Sequence, residues 1–361
     1  MSMQPETSES RQLKVNEALH EALDMALARD DRVYLMGLGV PDPKGIFGTT
    51  VGLAERYGTG RVLDMPTAEN GMTGIAIGSA LVGMRPVMVH QRIDFATLAV
   101  EQIVNQAAKW RYTFGGQHSV PLVIRLIVGR GWGQGPQHSQ SLQSWFAHVP
   151  GLKVVMPVTP YDAKGLMLAS IEDDDPVVFI EHRWLHQLHG PVPESYYTTP
   201  IGPATRLREG DDVTIAATSY MAVEAMRAAE ALGRGGIQAD VLAVTTLRPL
   251  DSSAIVESVR RTGHLVVADT SWRRVGFGAE LVAVVAEEAH DALRSAPRRV
   301  GTLDTPVPTT AALARFSYPR APDLVKDVAA VLGADPAPLL ELLDADPAHL
   351  DVPDSSFTGP F

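Results

Sequence analysis

A histidine in the middle of the chain has neighbours that suit a reactive loop. His138 lies in GQGPQHSQSLQSW, between a glycine-rich stretch and a serine-glutamine pair. It is therefore either part of a loop that serves chemistry or a packed imidazole in a polar turn. An imidazole can donate and accept protons near neutral pH. His138 is thus a candidate for proton transfer.

A glutamate and a phenylalanine stand where apolar segments begin. Glu69 precedes NGMTGIAIGSALVG, so it is either an acid at a helix N-terminus or a buried carboxylate that exchanges a proton with a ligand ring. Phe95 opens a helix after a strand, where it is either core or a platform for stacking. Taken alone, the residues leave both alternatives open for each.

Alternating strands and helices must position these residues. The spacing in QLKVNEALHEALDMALARD predicts a helix, and RVYLMGL predicts a buried strand. The alternation continues with one helix over FATLAVEQIVNQAAKWRYTFG and runs through PVVFIEHRW. It restarts after a proline-rich stretch, where IQADVLAVTTL is expected as one strand. This order predicts an α/β fold with two doubly wound domains and mostly parallel sheets. We expect a first domain over 12–190, a linker over 191–212, a second domain over 213–334 and an acidic, loosely docked or mobile tail over 335–361.

Composition and charge argue against several classes of function. The chain has no cysteine, which excludes disulfides, thiolate metal ligands and a cysteine nucleophile. The net charge of -11, without a basic cluster, argues against nucleic acid as a partner. No apolar stretch is long enough to span a membrane, and the first residues lack the apolar core of a signal peptide. We therefore expect a cytoplasmic protein.

Four stretches of the chain resemble one enzyme family. They are VEQIVNQAAKWRYTFGGQ (100–117), PLVIR (121–125), QHSQSLQSWFAHVPGLKVVMPVTPYDAKGLMLASIEDDDPVVFIEH (137–182) and TLRPLD (246–251). They resemble the beta subunit of the thiamine-diphosphate-dependent first component of pyruvate, branched-chain and acetoin dehydrogenases, which has a transketolase-like fold. The resemblance implies a first domain that binds the aminopyrimidine ring of the cofactor and a second domain that supports dimerisation and contact with the complex core.

The resemblance also implies a role for each candidate residue. Glu69 matches the glutamate that hydrogen-bonds the distal pyrimidine nitrogen, and Phe95 matches the aromatic residue that stacks on that ring. His138 matches the histidine near the thiazolium carbon, which assists acyl transfer to lipoamide. The cofactor performs the difficult chemistry in such enzymes, and a carboxylate on the ring nitrogen promotes it. Glu69 and His138 are therefore the expected catalytic residues.

The resemblance implies partners and ions as well. The chain has no Gly-Asp-Gly segment followed by asparagine, the motif that holds magnesium and diphosphate in this superfamily. An alpha subunit is therefore expected to supply those ligands in an α2β2 heterotetramer, with a lipoyl acyltransferase core as a further partner. Family members also hold a structural potassium ion, which the resemblance places on Asp173 and Asp175 and the carbonyls of Leu122 and Ser170. The alternative is an ordinary solvated acidic turn.

Several residues depart from the family pattern. GLGV replaces a Gly-Glu-Asp-Val stretch, and the strand before Phe95 reads VMVHQRID. If that strand alternates, Gln91 and Ile93 share a face with Phe95, and Gln91 points toward the cofactor ring and the substrate pocket. Arg92 then pairs with Asp94 or a neighbouring chain, or forms a salt bridge at the sheet edge.

These departures leave three functions open. The first is oxidative decarboxylation of a 2-oxoacid with transfer of the acyl group to a lipoyl carrier. The second is decarboxylation followed by ligation, which forms an acyloin or a specialised metabolite without a lipoyl partner. The third is a non-catalytic α/β scaffold, and the joint presence of Glu69, Phe95 and His138 argues against it.

Overall fold

The computed structural model describes residues 11–131 and 133–344, which form two α/β units. The strands of the first unit are β1 (Gln12–Lys14), β2 (Val33–Gly37), β3 (Val62–Leu63), β4 (Arg85–His90), β5 (Val123–Val128), β6 (Lys153–Val155), β7 (Val177–His182) and β8 (His189–Pro191). Its helices are α1 (Val15–Arg29), α2 (Leu53–Tyr57), α3 (Glu69–Leu81), α4 (Ile93–Ala96), α5 (Ala108–Thr113), α6 (Gln143–Ala147) and α7 (Pro160–Glu172).

The second unit repeats the alternation on a smaller scale. Its strands are β9 (Thr205–Arg208), β10 (Val213–Ala217), β11 (Ala239–Ala243), β12 (Thr246–Arg248), β13 (Leu265–Trp272) and β14 (Arg298–Thr302). Its helices are α8 (Met221–Arg234), α9 (Ser253–Thr262), α10 (Gly278–Glu288), α11 (Ala311–Ala314), α12 (Ala321–Leu332) and α13 (Pro336–Leu340).

The main sheet of each unit is mostly parallel. The first has the order β12-β6-β7-β5-β4-β2-β3, and every pair in it except β12-β6 is parallel. The second has the order β14-β13-β10-β11-β9, with only β9 antiparallel. Helices cover both faces of such sheets, which explains why β5 and β7 are buried at every position. The predicted α/β fold with mostly parallel sheets is confirmed.

One strand of the second unit completes the sheet of the first. The pattern of IQADVLAVTTL predicted a single strand. Instead, the chain leaves the second sheet after β11 and pairs β12 antiparallel with β6. The amide of Met156 also donates to the carbonyl of Thr245 (2.7 Å). The largest apolar cluster accordingly contains residues of both units, including Leu152, Leu247 and Phe277. The two units therefore share a core.

The helical segment from Ile93 to Thr113 is irregular. It begins as α4, passes through a 3-10 turn at Thr97–Ala99 and a π-helical turn at Gln102–Ala107, and ends as α5. π-helical turns are rare and are frequent at functional sites. The sequence pattern predicted one continuous helix here, because apolar spacing does not distinguish these helix types.

The predicted linker and the predicted tail both contain more regular structure than expected. The linker predicted over 191–212 includes β9, which forms an edge of the second sheet. The predicted tail begins with α13, which packs on α8 and α12 and buries Leu339. The rest of that tail, 345–361, lies outside the described residues. Among the described residues, the helices are too short or too polar to cross a membrane.

Candidate active site

Two of the candidate residues, Phe95 and His138, lie at the carboxyl edge of the first sheet. There β4 ends at His90, β5 ends at Val128 and β7 ends at His182, and these three strands are neighbours. Ligands of open α/β sheets bind in the crevice outside the carboxyl ends of the strands. The segments that follow β4 and β5 carry Phe95 and His138. The topology thus brings both residues to the edge where a ligand is expected.

Phe95 and His138 are in contact. Their ring centroids lie 5.3 Å apart, and the rings are nearly perpendicular at 89°. Phe95 is in α4, and His138 ends a 3-10 turn that starts at Pro136. Both side chains are half-buried, so each keeps a surface that a ligand can reach.

Glu69 heads a helix that packs on the same region. It is the first residue of α3 and is only 7% exposed, so it has features of both sequence interpretations, the helix N-terminal acid and the buried carboxylate. α3 packs against β4 and against the irregular helical segment that follows Phe95. Glu69 therefore begins a helix that packs beside the segment carrying Phe95.

Asp94 lies at the site, although the sequence predicted it only as an ion-pair partner of Arg92. Its Oδ1 accepts hydrogen bonds from Nε2 (2.9 Å) and the backbone N–H (3.4 Å) of Gln140, two residues after His138. Its Oδ2 is buried and has no partner among the described residues. Burial raises the pKa of Asp94, although the bonds from Gln140 and the charge of Arg92 oppose this. Only tertiary contact between distant segments reveals this residue.

The alternation predicted for residues 91–95 is wrong. The strand ends at His90 and α4 begins at Ile93, so Gln91 and Phe95 do not share a strand face. Nε2 of Gln91 donates to the carbonyl of Leu38 (2.8 Å), which ties this turn to the loop after β2. The period of two fails here because the chain changes from a strand to a helix within three residues.

Arg92 does not form an ion pair with Asp94, which was one of the alternatives predicted for it. It is 2% exposed, and its guanidinium donates to the carbonyl of Gly129 and to Oε1 of Gln134. Burial lowers the pKa of Arg92 to about 10, a value at which it is still protonated at neutral pH. Arg92 therefore joins the turn after β4 to the glycine-rich loop before His138.

An ion pair lies in the sheet beneath these loops. Arg125 of β5 contacts Glu181 of β7 through two hydrogen bonds, and Nε2 of His186 lies 3.1 Å from the same carboxylate. Burial raises the pKa of Glu181, but the charge and hydrogen bond of Arg125 overcome this and lower it to about 2. Arg125 also donates to Oγ1 of Thr49 (2.7 Å), which anchors the loop after β2. Hydrogen bonds thus connect β5, β7 and the loop after β2.

Buried polar atoms without a protein partner make the site fit an aromatic heterocycle with polar ring substituents. Besides Asp94 Oδ2, the Nδ1 of His90 and the Oγ of Ser139 are buried without a partner among the described residues. Buried polar atoms are costly unless a partner satisfies them. A ligand ring with nitrogen and amino groups could do so, while Glu69 and Phe95 offer a carboxylate and an aromatic face. The residues present are therefore compatible with an aminopyrimidine.

The residues assigned to a potassium ion are engaged with cations and backbone groups. Asp173 contacts Lys153 (2.5 Å), Asp175 contacts Arg111 (2.7 Å), and the carbonyl of Leu122 accepts from Val177 (2.9 Å). The hydroxyl of Ser170 donates within α7, to the carbonyl of Leu166. Within the described ranges, no group of three or more His, Asp or Glu side chains is placed to hold a metal. A potassium ion here stays a prediction.

The chain matches two domain families and many curated proteins. "Transketolase, pyrimidine binding domain" matches residues 11–187, and "Transketolase, C-terminal domain" matches residues 202–324. The chain is 42% identical over 321 residues to "Pyruvate dehydrogenase E1 component subunit beta-2, mitochondrial" of Oryza sativa subsp. japonica, covering 88% of this chain and 85% of the relative. It is 42% identical to "Acetoin:2,6-dichlorophenolindophenol oxidoreductase subunit beta" of Cupriavidus necator, covering 86% of this chain and 95% of the relative.

A bacterial relative and a solved structure agree with these matches. The subunit of the same acetoin oxidoreductase from Bacillus subtilis is 38% identical, with 91% of this chain and 99% of the relative covered. The solved structure "Split gene transketolase, inactive beta4 tetramer" aligns with a TM-score of 0.70 at 25% identity and covers 89% of this chain and 98% of its own. The chain therefore belongs to the transketolase-like family of beta subunits of thiamine-dependent 2-oxoacid dehydrogenases.

Proposed function

We propose that Glu69, Phe95 and His138 form this chain's half of an active site that decarboxylates a 2-oxoacid and passes the acyl group to a lipoyl carrier. The observation that carries the proposal is the contact between Phe95 and His138 at the carboxyl edge of the first sheet, beside the helix that begins with Glu69. Thiamine diphosphate, when bound, supplies the carbanion chemistry that amino acid side chains cannot.

Each side chain has a defined task in this proposal. The carboxylate of Glu69 holds a proton at the distal pyrimidine nitrogen, and the face of Phe95 orients the ring. His138 donates or accepts a proton as the acyl group leaves for the carrier. Gln91, fixed to the carbonyl of Leu38, lines the substrate pocket from the turn after β4.

The partner is an alpha subunit, because the matched relatives are named as beta subunits. We propose that it supplies the ligands of magnesium and the diphosphate in an α2β2 heterotetramer, and that a lipoyl acyltransferase core receives the acyl group. A cytoplasmic location and a potassium ion at Asp173 and Asp175 belong to the same proposal.

A second candidate is decarboxylation followed by ligation to a carbonyl acceptor, without a lipoyl partner. Polar residues at the turn after β4 favour it, since the half-buried Gln91 and the buried, unpartnered Oδ2 of Asp94 lie beside the predicted pocket. Such groups suit a polar acceptor or product. The ligated product would be found in the absence of any lipoyl protein.

Co-expression with the alpha-type subunit tests the proposal. The purified complex, with thiamine diphosphate and magnesium, is assayed with a panel of 2-oxoacids by reduction of an artificial dye and by product analysis. We expect turnover of one acid and a loss of at least about 100-fold in Glu69→Ala, as for a removed acid-base group. Glu55→Ala is the matched control, because Glu55 is an exposed acid in the first turn of α2.

Each result of this assay has a clear meaning. Acyloin in place of dye reduction would favour the ligating enzyme. An active complex whose turnover is unchanged by Glu69→Ala would contradict the assigned role of Glu69. A folded, cofactor-loaded complex without either product would support a non-catalytic scaffold.

A further inference from the structure

A buried hydrogen bond joins the two units close to His138. Nε2 of Gln143, the first residue of α6, donates to Oδ1 of Asp269 in β13 (2.7 Å) and to Oγ1 of Thr270 (3.2 Å). Gln143 is 0% and Asp269 is 3% exposed. A carboxylate only accepts hydrogen bonds, so the amide nitrogen must face it and the orientation of the amide is fixed.

The carboxylate of Asp269 is itself held in place. Its Oδ1 accepts from Oγ1 of Thr218 (2.8 Å) and the N–H of Ser271 (3.3 Å), and its Oδ2 accepts from Oγ of Ser271 (2.6 Å) and the N–H of Gly278 (3.4 Å). Hydrogen bonds to a charged acceptor are stronger than those between neutral groups. Asp269 is therefore a fixed point that the second unit presents to the first.

The segment that carries His138 is held from both units. The first unit holds it through the ring of Phe95 at His138 and through Asp94 at Gln140. The second unit holds it through Asp269 at Gln143, three residues further along. Without the bond to Asp269, the buried amide of Gln143 would keep only the longer bond to Thr270, since its Oε1 has no partner among the described residues. Loss of this bond would thus release one end of the segment.

We propose that Asp269 is a positioning residue for His138, acting from the second unit through Gln143. Asp269 fixes the start of α6, which limits the movement of residues 138–142 and keeps the imidazole against Phe95. The importance of His138 rests on the proposed function, whereas the anchoring of the segment does not. Supporting residues of this kind set the precision of a site without touching the substrate.

Two readouts test this role in the complex with the alpha subunit. The variants are Asp269→Asn, Gln143→Leu and the double variant. Asp269→Asn replaces the charged acceptor of Gln143 by a weaker neutral one and sets an NH2 group against the N–H of Gly278, whereas Gln143→Leu removes the bond entirely. In each, we expect amide hydrogen exchange to rise about tenfold in residues 136–147 and to stay unchanged in α1 and β5. We expect the kcat for the 2-oxoacid to fall about tenfold, while its KM changes less than about twofold, because substrate binding does not depend on the position of His138.

A matched control and a double-mutant cycle make the test specific. Asp240→Asn removes a buried carboxylate whose bonds to Ser258 and Arg261 lie within the second unit, so exchange in 136–147 should not change. If Asp269 acts through Gln143, the double variant resembles the more severe single variant. Additive effects, or unchanged exchange in 136–147, would overturn the proposal.

The exchange readout separates this inference from the proposed function. A wild-type complex without activity would contradict the proposed function, and exchange alone would then decide whether Asp269 anchors the segment. An active complex in which Asp269→Asn lowers kcat but leaves the exchange unchanged would instead contradict the anchoring. Gln143→Leu, which keeps the buried acid and its other donors, serves if Asp269→Asn fails to fold.

Discussion

His90 is a buried imidazole at the end of β4, and it lacks a counter-charge among the described residues. It is 2% exposed, and its Nε2 lies 3.5 Å from Oγ1 of Thr73. Burial lowers the pKa of His90 to about 4 from the ordinary value of 6.5. The unfolded chain therefore binds a proton at a higher pH than the folded chain, and acid favours unfolding between these two values.

We expect His90→Phe to reduce the acid sensitivity of the protein. At pH 7.5 both side chains are uncharged, and the free energy of unfolding should change little. At pH 5 the wild type should have lost about 2 kcal/mol through His90, a loss that the variant avoids. Urea unfolding at the two pH values measures the difference. His118→Phe, at an exposed histidine, is the control, and an equal effect there would count against the explanation.

The sequence identified some residues of the site but not their neighbours. Glu69, Phe95 and His138 were found because they lie in motifs that resemble a known family. Asp94 and Asp269 were missed as site residues, since their partners Gln140 and Gln143 are distant in sequence and no spacing rule connects them. Local patterns name residues that chemistry requires, whereas the residues that hold them follow from tertiary packing.

At the scale of elements, Gly151 allows the start of α5 to approach the chain before β6. Its φ is +98°, and a Cβ there would lie 1.8 Å from the carbonyl oxygen of Ala108, at the start of α5. Only glycine adopts this positive φ readily and has no Cβ that would clash with the carbonyl. This contact holds α5 and the irregular turn before it against the loop that leads into β6.

We expect Gly151→Ala to lower the free energy of unfolding by about 3 kcal/mol or more, because it combines backbone strain with a clash against a backbone atom. Gly116→Ala separates the cost of backbone strain from the cost of the steric clash. Gly116 has a φ of +79°, but a Cβ there meets nothing within 4 Å, so its cost should be only about 1 kcal/mol. Denaturant unfolding of both variants measures the difference, and equal costs would show that the clash is relieved by movement.

The alternation of apolar segments predicted most helices and strands, because each buries one side or the whole of its length. It failed where an element ends early or changes type. The strand predicted through Asp94 stops at His90, and the strand predicted through Leu247 is divided into β11 and β12. The chain is polar where β4 ends and largely apolar between β11 and β12, so hydrophobic pattern alone does not mark either boundary.

At the scale of the whole molecule, the two units depend on each other. β12 lies in the second half of the sequence but forms the edge of the first sheet, and one apolar cluster contains residues of both halves. An unpaired edge and an uncovered apolar surface favour aggregation. The sequence-based division into two domains did not predict this exchange.

We therefore expect a piece ending at residue 200 to fold poorly on its own. It would lack β12 and the apolar side chains of the second unit, so it should aggregate or unfold without a cooperative transition. Circular dichroism and analytical ultracentrifugation of the piece measure this. Co-expression with residues 201–361 should restore a soluble complex. A monomeric, cooperatively unfolding piece would show that the shared core is dispensable.

The placement of β12 also has a consequence in time. During synthesis, β6 leaves the ribosome roughly 90 residues before β12 does. At ordinary elongation rates this delay is about 5 to 20 s. For that period the nascent first sheet has an open edge at β6, which chaperones or an early-binding subunit could protect. The order of translation, and not only the final contacts, therefore bears on how much of this protein reaches its native state.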